Sequence, residues 1–542
     1  MNMNIVRGNI VDVVSRKIFK GEIHFTDKII KIVKTPVKEK HFILPGFVNS
    51  HVHIESSMLS PSAFSNEAVK HGTVAVVSDP HEIANVLGIP GIDFMIKDAE
   101  NSCLKIFFGA PSCVPATSFE GNGKTINSKE VSELLQREDI YYLSEMMNYP
   151  GVIFDDKEVH NKLHFANKFN KPKDGHAPGI TGNNLKKYVQ SGITTDHECS
   201  SLEEALEKIS HGMKIQIREG SAAKNFESLY PIINSHPGSV MLCTDDSHPN
   251  DLLNGHINIL LQRAWNYGLD YFNALRSATF IPIEHYHLPV GYLQEGQPAD
   301  FIICKDKFAN SISSVYINGK DKISSTSKSI RIKPLNHFSL KPIGVNDISY
   351  LTPASFVNVI RIKDGELITF REKLKYSEVF NSDMTLKKGF NKIVVINRYS
   401  DKSKPVVGVI KDFNLTSGAI AGTIAHDSHN LIALGKDDEN IVTAINLIVE
   451  YKGGISACNI NIHRKLILPL EIAGLMSPKN AKWISKKYNE LNVFAKGVLG
   501  TNLHAPFMTM SFLSLLVIPE LKIGDKGLFD IRTLEFVNLF EN

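Results

Sequence analysis

Between Ile43 and Thr244 one pattern recurs eight times: a short apolar run, then a longer stretch with apolar residues at helical spacing. The runs are Ile43–Val48, Val74–Ser78, Ile106–Ala110, Tyr141–Ser144, Lys171–Asp174, Ile193–Asp196, Lys214–Ile217 and Val240–Thr244, the fifth being polar for a strand. The stretches between them, such as Ser128–Arg137 and Ser201–Ser210, read as helices behind Ser N-caps. Strand-helix alternation demands a parallel sheet, because a parallel neighbour is reached only through a crossover. Eight such units in about 240 residues match a (β/α)8 barrel of roughly 250.

A chain of 542 residues exceeds one barrel, and the flanking texture differs. Residues 1–44 carry short antiparallel-strand runs such as Asn9–Val13 and Lys28–Val33, and similar runs return in Ala299–Cys304 and Ser314–Gly319. We expect 1–44 and 290–335 to form one small, discontinuous β-sandwich, 45–289 the barrel, and 340–542 a C-terminal α+β domain with a helix at Asp438–Tyr451. The Ser- and Lys-rich Asp321–Ser329 reads as a surface loop or linker.

With 60 Lys and Arg against 57 Asp and Glu, the net charge of +3 gives no field that favours nucleic acid or an anionic membrane. A small-molecule partner is expected instead. The segment Phe507–Val517 is too short to span a bilayer, which takes ~20 residues, and reads as a buried element. Cys103, Cys113, Cys199, Cys243, Cys304 and Cys458 contain no C-x-x-C pair, which argues against disulfides or a cysteine zinc site and fits a reducing cytoplasm. The opening residues lack the basic head and apolar run of a signal peptide. The apolar C-terminal third suggests a homo-oligomer.

Barrel enzymes place their chemistry where strands end. Strand one ends in His51-Val52-His53, whose i and i+2 imidazoles share a face, with Glu55 two residues on. Strand four ends in Glu145, five in His176, six in His197, and eight in Asp245 and Asp246. A single loop histidine is usually just hydrogen-bonded, and a lone Asp often caps a helix. Metal-ligating types at the same end of five strands make a metal centre the better reading. Four imidazoles and two carboxylates exceed what one catalytic ion takes, since it keeps a position for water. Two divalent ions sharing Glu145 use them economically, and mixed nitrogen and oxygen ligation suits Zn, Mn or Fe. Such ions make hydroxide available at neutral pH, so hydrolysis is the expected reaction.

This order of ligands resembles the amidohydrolase superfamily. Longer motifs narrow it: Pro45-Gly46-Phe47 before His51–Ser57, Asp79-Pro80-His81-Glu82-Ile83-Ala84-Asn85-Val86, Pro111–Thr117, Arg218-Glu219-Gly220-Ser221-Ala222, Ala425–Asn430 and Gly474–Ser477. Together they resemble the bacterial-type adenine deaminase family over nearly the whole chain. The resemblance implies hydrolytic deamination of adenine to hypoxanthine and ammonia in purine salvage, by a hydroxide bridging two metal ions, usually manganese or iron. It places the ligands at His51, His53, Glu145, His176, His197 and Asp245. Asn49 departs from the acidic residue common just before the His pair.

We expect Asp245 to take the proton of the attacking water and deliver one to the departing amine. Asp246 competes for that role, but adjacent residues of a strand face opposite sides. A protonated Glu82, or else Glu55, would donate to N1 of the purine, unless these carboxylates only tie loops together. Ser112 and Cys113 would line the base pocket, and Arg218 and Glu219 would read the ring or form a structural ion pair. His426, Asp427 and His429 also have metal-like spacing, though a loop covering a site or interface is the better reading. The alternative function is another cyclic amidase or a deacetylase of the superfamily, although many cyclic amidases bridge their metals with a carboxylated lysine where this chain has Glu145. A scaffold that lost catalysis would show gaps among the ligands, and none is missing.

Overall fold

A computed structural model describes residues 3–221, 223–323, 333–349 and 354–542. Most of the Asp321–Ser329 loop, and Ala222 of the Arg218 motif, lie outside the described residues. The chain forms two compact units: one of Met1–Pro80, Met95–Ser112 and Asn127–Ile332, the other of His81–Phe94, Cys113–Ile126 and Lys333–Asn542.

The first unit opens with β1 (Asn4–Asp12), β2 (Lys17–Phe25), β3 (Ile29–Lys34) and β4 (Phe42–Pro45). Strands β1 and β2 pair antiparallel, with Asn4 opposite Phe25 and Asp12 opposite Lys17. The Asp12 carboxylate accepts the N–H groups of Val14 and Ser15 at 2.9 and 3.1 Å, an Asx turn that closes the hairpin.

Eight parallel strands follow: β5 (Phe47–Val52), β6 (Thr73–Ser78), β7 (Lys105–Ala110), β8 (Ile140–Met146), β9 (Lys173–Gly175), β10 (Thr195–Asp196), β11 (Lys214–Arg218) and β12 (Val240–Cys243). Strands β5 to β9 form one sheet in chain order and β10 to β12 another. Two seams close them into the (β/α)8 barrel. The Thr194 N–H donates to the Lys173 carbonyl at 3.0 Å, and the Asp245 N–H to the His51 carbonyl at 3.1 Å. Asn49, the departure noted above, serves the second seam: its amide donates to Thr244 Oγ1 at 2.7 Å and its carbonyl accepts the Thr244 N–H at 3.1 Å.

One boundary differs from the sequence reading. The run Ile43–Val48 is not a single strand, because β4 belongs to the small sheet and β5 begins the barrel at Phe47. Gly46 makes the change possible: a Cβ there would lie 2.2 Å from Val74 Cγ1, so only glycine lets the chain pass this close to β6. The helix Ser128–Leu135 is capped by Asn127, not Ser128, in a capping box with Glu130, whereas Ser201 does cap Leu202–Ser210.

Strands β13 (Phe301–Cys304), β14 (Ile312–Ile317) and β15 (Lys320–Asp321) return to the small sheet, whose seven strands run β15-β14-β13-β4-β1-β2-β3. Ile10, Ile23, Phe25, Ile43 and Phe301 form its core, with the Phe25 and Phe301 rings edge to face at 5.1 Å.

The second unit is built on a mixed sheet containing β16 (Phe356–Arg361), β17 (Phe370–Lys375), β18 (Phe390–Ile396), β19 (Val406–Lys411), β20 (Ala419–Gly422), β21 (Leu431–Gly435), β22 (Gly454–Asn459) and β23 (Arg464–Pro469). The helix Asp438–Tyr451 places Ile441, Ala444, Ile445 and Ile448, one helical stripe, against Val394, Ile396, Ala421 and Ala433. Its N-cap, Asp437, accepts the Asn440 N–H at 2.9 Å. A small sheet of β24 (Leu521–Gly524), β25 (Gly527–Asp530) and β26 (Glu535–Val537) follows, and β27 (Phe540–Glu541) pairs with β16. Part of Phe507–Val517 is the buried helix Pro506–Ser511. The six cysteines form no disulfide among the described residues, and no described helix is long and apolar enough to cross a membrane.

Candidate active site and metal centre

Alternation along β5 sends His51 to the barrel axis, and His53 follows on the same face just beyond the strand. Their Nε2 atoms lie 3.2 Å apart. His53 Nδ1 donates to the Asp79 carbonyl at 3.2 Å, which leaves the lone pair of neutral His53 on Nε2, the atom facing the other donors. His53 Nε2 is 3.2 Å from Glu145 Oε1 and 3.1 Å from Asp245 Oδ1.

Glu145 stands within β8, one residue before its end, and reaches both sides of the cluster. Its Oε2 lies 2.8 Å from His176 Nδ1 and 3.1 Å from His197 Nε2. His176 is set by its backbone N–H, which donates to Tyr188 Oη at 3.0 Å while that hydroxyl donates to the Met146 carbonyl. The His51 and His197 rings stack with centroids 4.3 Å apart. Asp245, at φ 52°, adopts the left-handed region that Asp tolerates better than most residues, and such backbone outliers cluster at functional sites.

The geometry thus brings His51, His53, Glu145, His176, His197 and Asp245 together. All but His176 are fully buried. Two overlapping groups, His51–His53–Asp245 and His51–Glu145–His197, have donor atoms mutually within 4.8 Å, close enough to share an ion. With the inward Nε2 of His53, this donor set fits divalent cations. Burial and His197 hold His51 well below its ordinary pKa. Burial would lower His53 too, but Asp245 and Glu145 outweigh it and raise His53 well above. Burial opposes the charge on His176 while Glu198 and Glu145 favour it, lifting that imidazole to about 9. Glu145 and Asp245, despite burial, are held well below the carboxylate range, chiefly by His197 and Arg218 respectively.

Asp246, next to Asp245, accepts the Ser56 hydroxyl at 2.5 Å. Arg218 and Glu219 do not pair with each other. Arg218 reaches Glu198 and Asp245, whereas Glu219 reaches Arg263 at 2.9 Å, as neighbouring residues at a strand end point opposite ways. The Ser112 hydroxyl donates to the Glu145 carbonyl at 2.5 Å, tying the end of β7 to β8. Glu55 lies buried in the turn Ile54–Ser57. Glu198 was not singled out by the sequence reading. Its signal was adjacency to His197, but its carboxylate becomes informative only beside Arg218, which comes from the next strand.

In the second unit, Cys113 is buried, and Glu82 joins His426 and His429. Glu82 Oε1 accepts from His426 Nδ1 at 2.9 Å, and Oε2 pairs with His429 Nε2. Burial would raise Glu82, yet His426 and His429 outweigh it and keep the carboxyl well below its ordinary range.

Residues 42–321 match the amidohydrolase family and 366–535 the adenine deaminase C-terminal domain. The chain is 49% identical to adenine deaminase of Methanosarcina mazei, over 98% of this chain and 99% of that protein. It is 46% identical to adenine deaminase of Borreliella afzelii, over 99% and 100% respectively. Among solved structures, β-aspartyl dipeptidase of Fervidobacterium islandicum is 17% identical, covering 61% of this chain and 100% of that one, with a TM-score of 0.45.

Proposed function

The chain belongs to the adenine deaminase family of amidohydrolases, and from that membership and the barrel site we propose that it hydrolyses adenine to hypoxanthine and ammonia. The observation that carries the reading is the convergence of the ends of β5, β9 and β10 on Glu145 of β8, with Asp245 beyond β12 presenting Oδ1 to His53 Nε2. His51, His53, Glu145, His176, His197 and Asp245 would hold two divalent ions, manganese first and iron or zinc next. Bound there, the ions would supply Lewis acidity and lower the pKa of water.

The remaining work falls to side chains. Asp245, anionic and buried, accepts the proton of the attacking water and returns one to the C6 amine, which leaves as ammonia. A proton donor to N1 is needed as charge builds on the ring, and Glu55 fits that role better than Glu82. The Glu82 carboxylate already accepts from two imidazoles and is held ionised, so it has no proton to give. Ser112 and Cys113 remain proposed as lining of the base pocket and Glu219 as a residue that reads the purine ring. The same reading divides the chain into a small β-sandwich domain (1–44 with 290–335), the catalytic barrel (45–289) and an α+β domain (340–542). It places the protein in the cytoplasm as a homo-oligomer acting in purine salvage, in keeping with six cysteines that form no disulfide among the described residues.

The test is to load the protein with manganese and follow ammonia release from adenine and cytosine beside ring opening of hydantoin and dihydroorotate to their N-carbamoyl acids. Release from adenine alone is expected. Ring opening of a cyclic amide with no ammonia from adenine would replace this substrate with a cyclic amide of the superfamily.

A further inference from the structure

Arg218 ends β11 with its guanidinium buried. Its Nη2 donates to Glu198 Oε2 at 2.8 Å, and Nη1 donates both to Glu198 Oε1 and, at 2.6 Å, to Asp245 Oδ2. The fork is therefore anchored end-on by one carboxylate while one nitrogen reaches across to the other. The two oxygens of Asp245 consequently do different things: Oδ2 accepts from Arg218, whereas Oδ1 lies 3.1 Å from His53 Nε2 and 3.7 Å from His51 Nε2.

The backbone around this contact is fixed independently. The Arg218 N–H donates to Asn225 Oδ1 at 2.8 Å, and Asn225 Nδ2 donates to the carbonyls of His197 and Cys199 at 3.0 and 3.1 Å. Asn225 thus locks the end of β11 to the His197–Cys199 segment that carries Glu198. Glu198 in turn lies 3.5 Å from His176 Nδ1 and 3.4 Å from His197 Nε2. A guanidinium between Glu198 and Asp245 also offsets the repulsion that three buried carboxylates, counting Glu145, would otherwise exert on one another.

We propose that Arg218 is a positioning residue and not a reader of the purine: held by Glu198, it immobilises Oδ2 of Asp245 so that Oδ1 alone serves the reacting centre. The inference rests on the adenine deaminase reading. A carboxylate free to rotate would present either oxygen and lose the alignment that proton transfer needs.

The test compares wild type with Arg218→Met, Arg218→Lys and Glu198→Gln, each loaded with manganese. Arg218→Met should lower kcat for adenine by about 10- to 100-fold, as loss of a partner that orients a ligand does. KM for adenine, calorimetric affinity for hypoxanthine and manganese bound per chain should stay at wild-type values. Arg218→Lys, which keeps one donor, should recover part of kcat, and Glu198→Gln should lower it less than Arg218→Met. A rise in KM with matching loss of hypoxanthine affinity would overturn the proposal in favour of purine contact. Loss of manganese would overturn it in favour of building the metal site. Crystal structures of metal-loaded wild type and Arg218→Met give a readout free of substrate: the Asp245 carboxylate should keep its Arg218 contact in the first and rotate in the second. If wild type left adenine intact, the function reading alone would fail, and an unmoved Asp245 in the variant would still sink the positioning claim.

Discussion

Two clusters of histidine and carboxylate in this molecule are built from the same residue types and are wired in opposite senses. In the barrel, His53 gives its Nδ1 proton to the Asp79 carbonyl, so the lone pair of neutral His53 faces Glu145 and Asp245. In the second unit, His429 Nδ1 accepts the Ala425 N–H at 3.3 Å, so its proton sits on Nε2 and points at Glu82. Burial holds His429 down to about 4, which keeps it a neutral donor. Glu145 Oε2 faces His176 and His197, and Oε1 faces His53 at 3.2 Å with His51 at 4.0 Å; Glu82 Oε1 accepts from His426 with His81 at 3.5 Å, and Oε2 pairs with His429. The first arrangement asks for cations and the second satisfies itself with hydrogen bonds. Spacing in sequence does not separate the two, but the hydrogen-bond partner of the outer nitrogen does.

The largest effect that would sharpen this contrast is expected from Glu145→Gln. It should strip bound metal and lower kcat/KM for adenine by roughly four orders of magnitude, the scale on which removing a central catalytic group acts. Metal analysis beside the ammonia assay checks it, and retained metal with retained rate would break the comparison on the barrel side.

Asp245→Asn should come next, lowering kcat by about 1000-fold, a size seen for general acid-base groups. Asp246→Asn, which keeps an oxygen to accept the Ser56 hydroxyl and removes the charge, should change kcat by less than about tenfold on the same scale. Steady-state kinetics of both variants decide between the neighbours.

In the second unit, the double change His426→Gln and His429→Gln should leave metal content at the wild-type level. It should destabilise the fold by about 1–3 kcal/mol through loss of buried partners to a carboxylate. Denaturant unfolding measures the loss, and a fall in bound metal would break the comparison on this side.

The smallest effect concerns pH. Buried His256 donates from Nδ1 to Thr73 Oγ1 at 2.6 Å and accepts the Asn49 amide at Nε2, and burial lowers it to about 3 from an ordinary 6.5. The unfolded chain therefore binds more protons between those values, and stability is lost as pH falls from about 6.5 towards 3. In His256→Gln the slope of unfolding free energy against pH should be shallower by about one proton across the upper part of that window. An unchanged slope would remove His256 from the account.

Much of the barrel was legible because periodicity is local: an apolar run followed by a helical stretch announces each unit within its own 30 or so residues. The six donors were legible because each sits at or just after such a run. The first strand was misjudged at its start because Ile43–Pro45 and Phe47–Val48 are equally apolar, and what parts them is the close passage of Gly46 by Val74. The pairing of Glu82 with His426 spans 344 residues, so no window of sequence contains both. Arg218 was legible as important but not as to its partners, since Glu198 and Asp245 are brought to it by the strands on either side of β11.

The most direct test of the contrast is anomalous diffraction at the manganese edge from crystals of the metal-loaded full chain. The account predicts two peaks beside Glu145, among His51, His53, His176, His197 and Asp245, and none between Glu82, His426 and His429. A peak at Glu82, or an empty barrel rim, would contradict it.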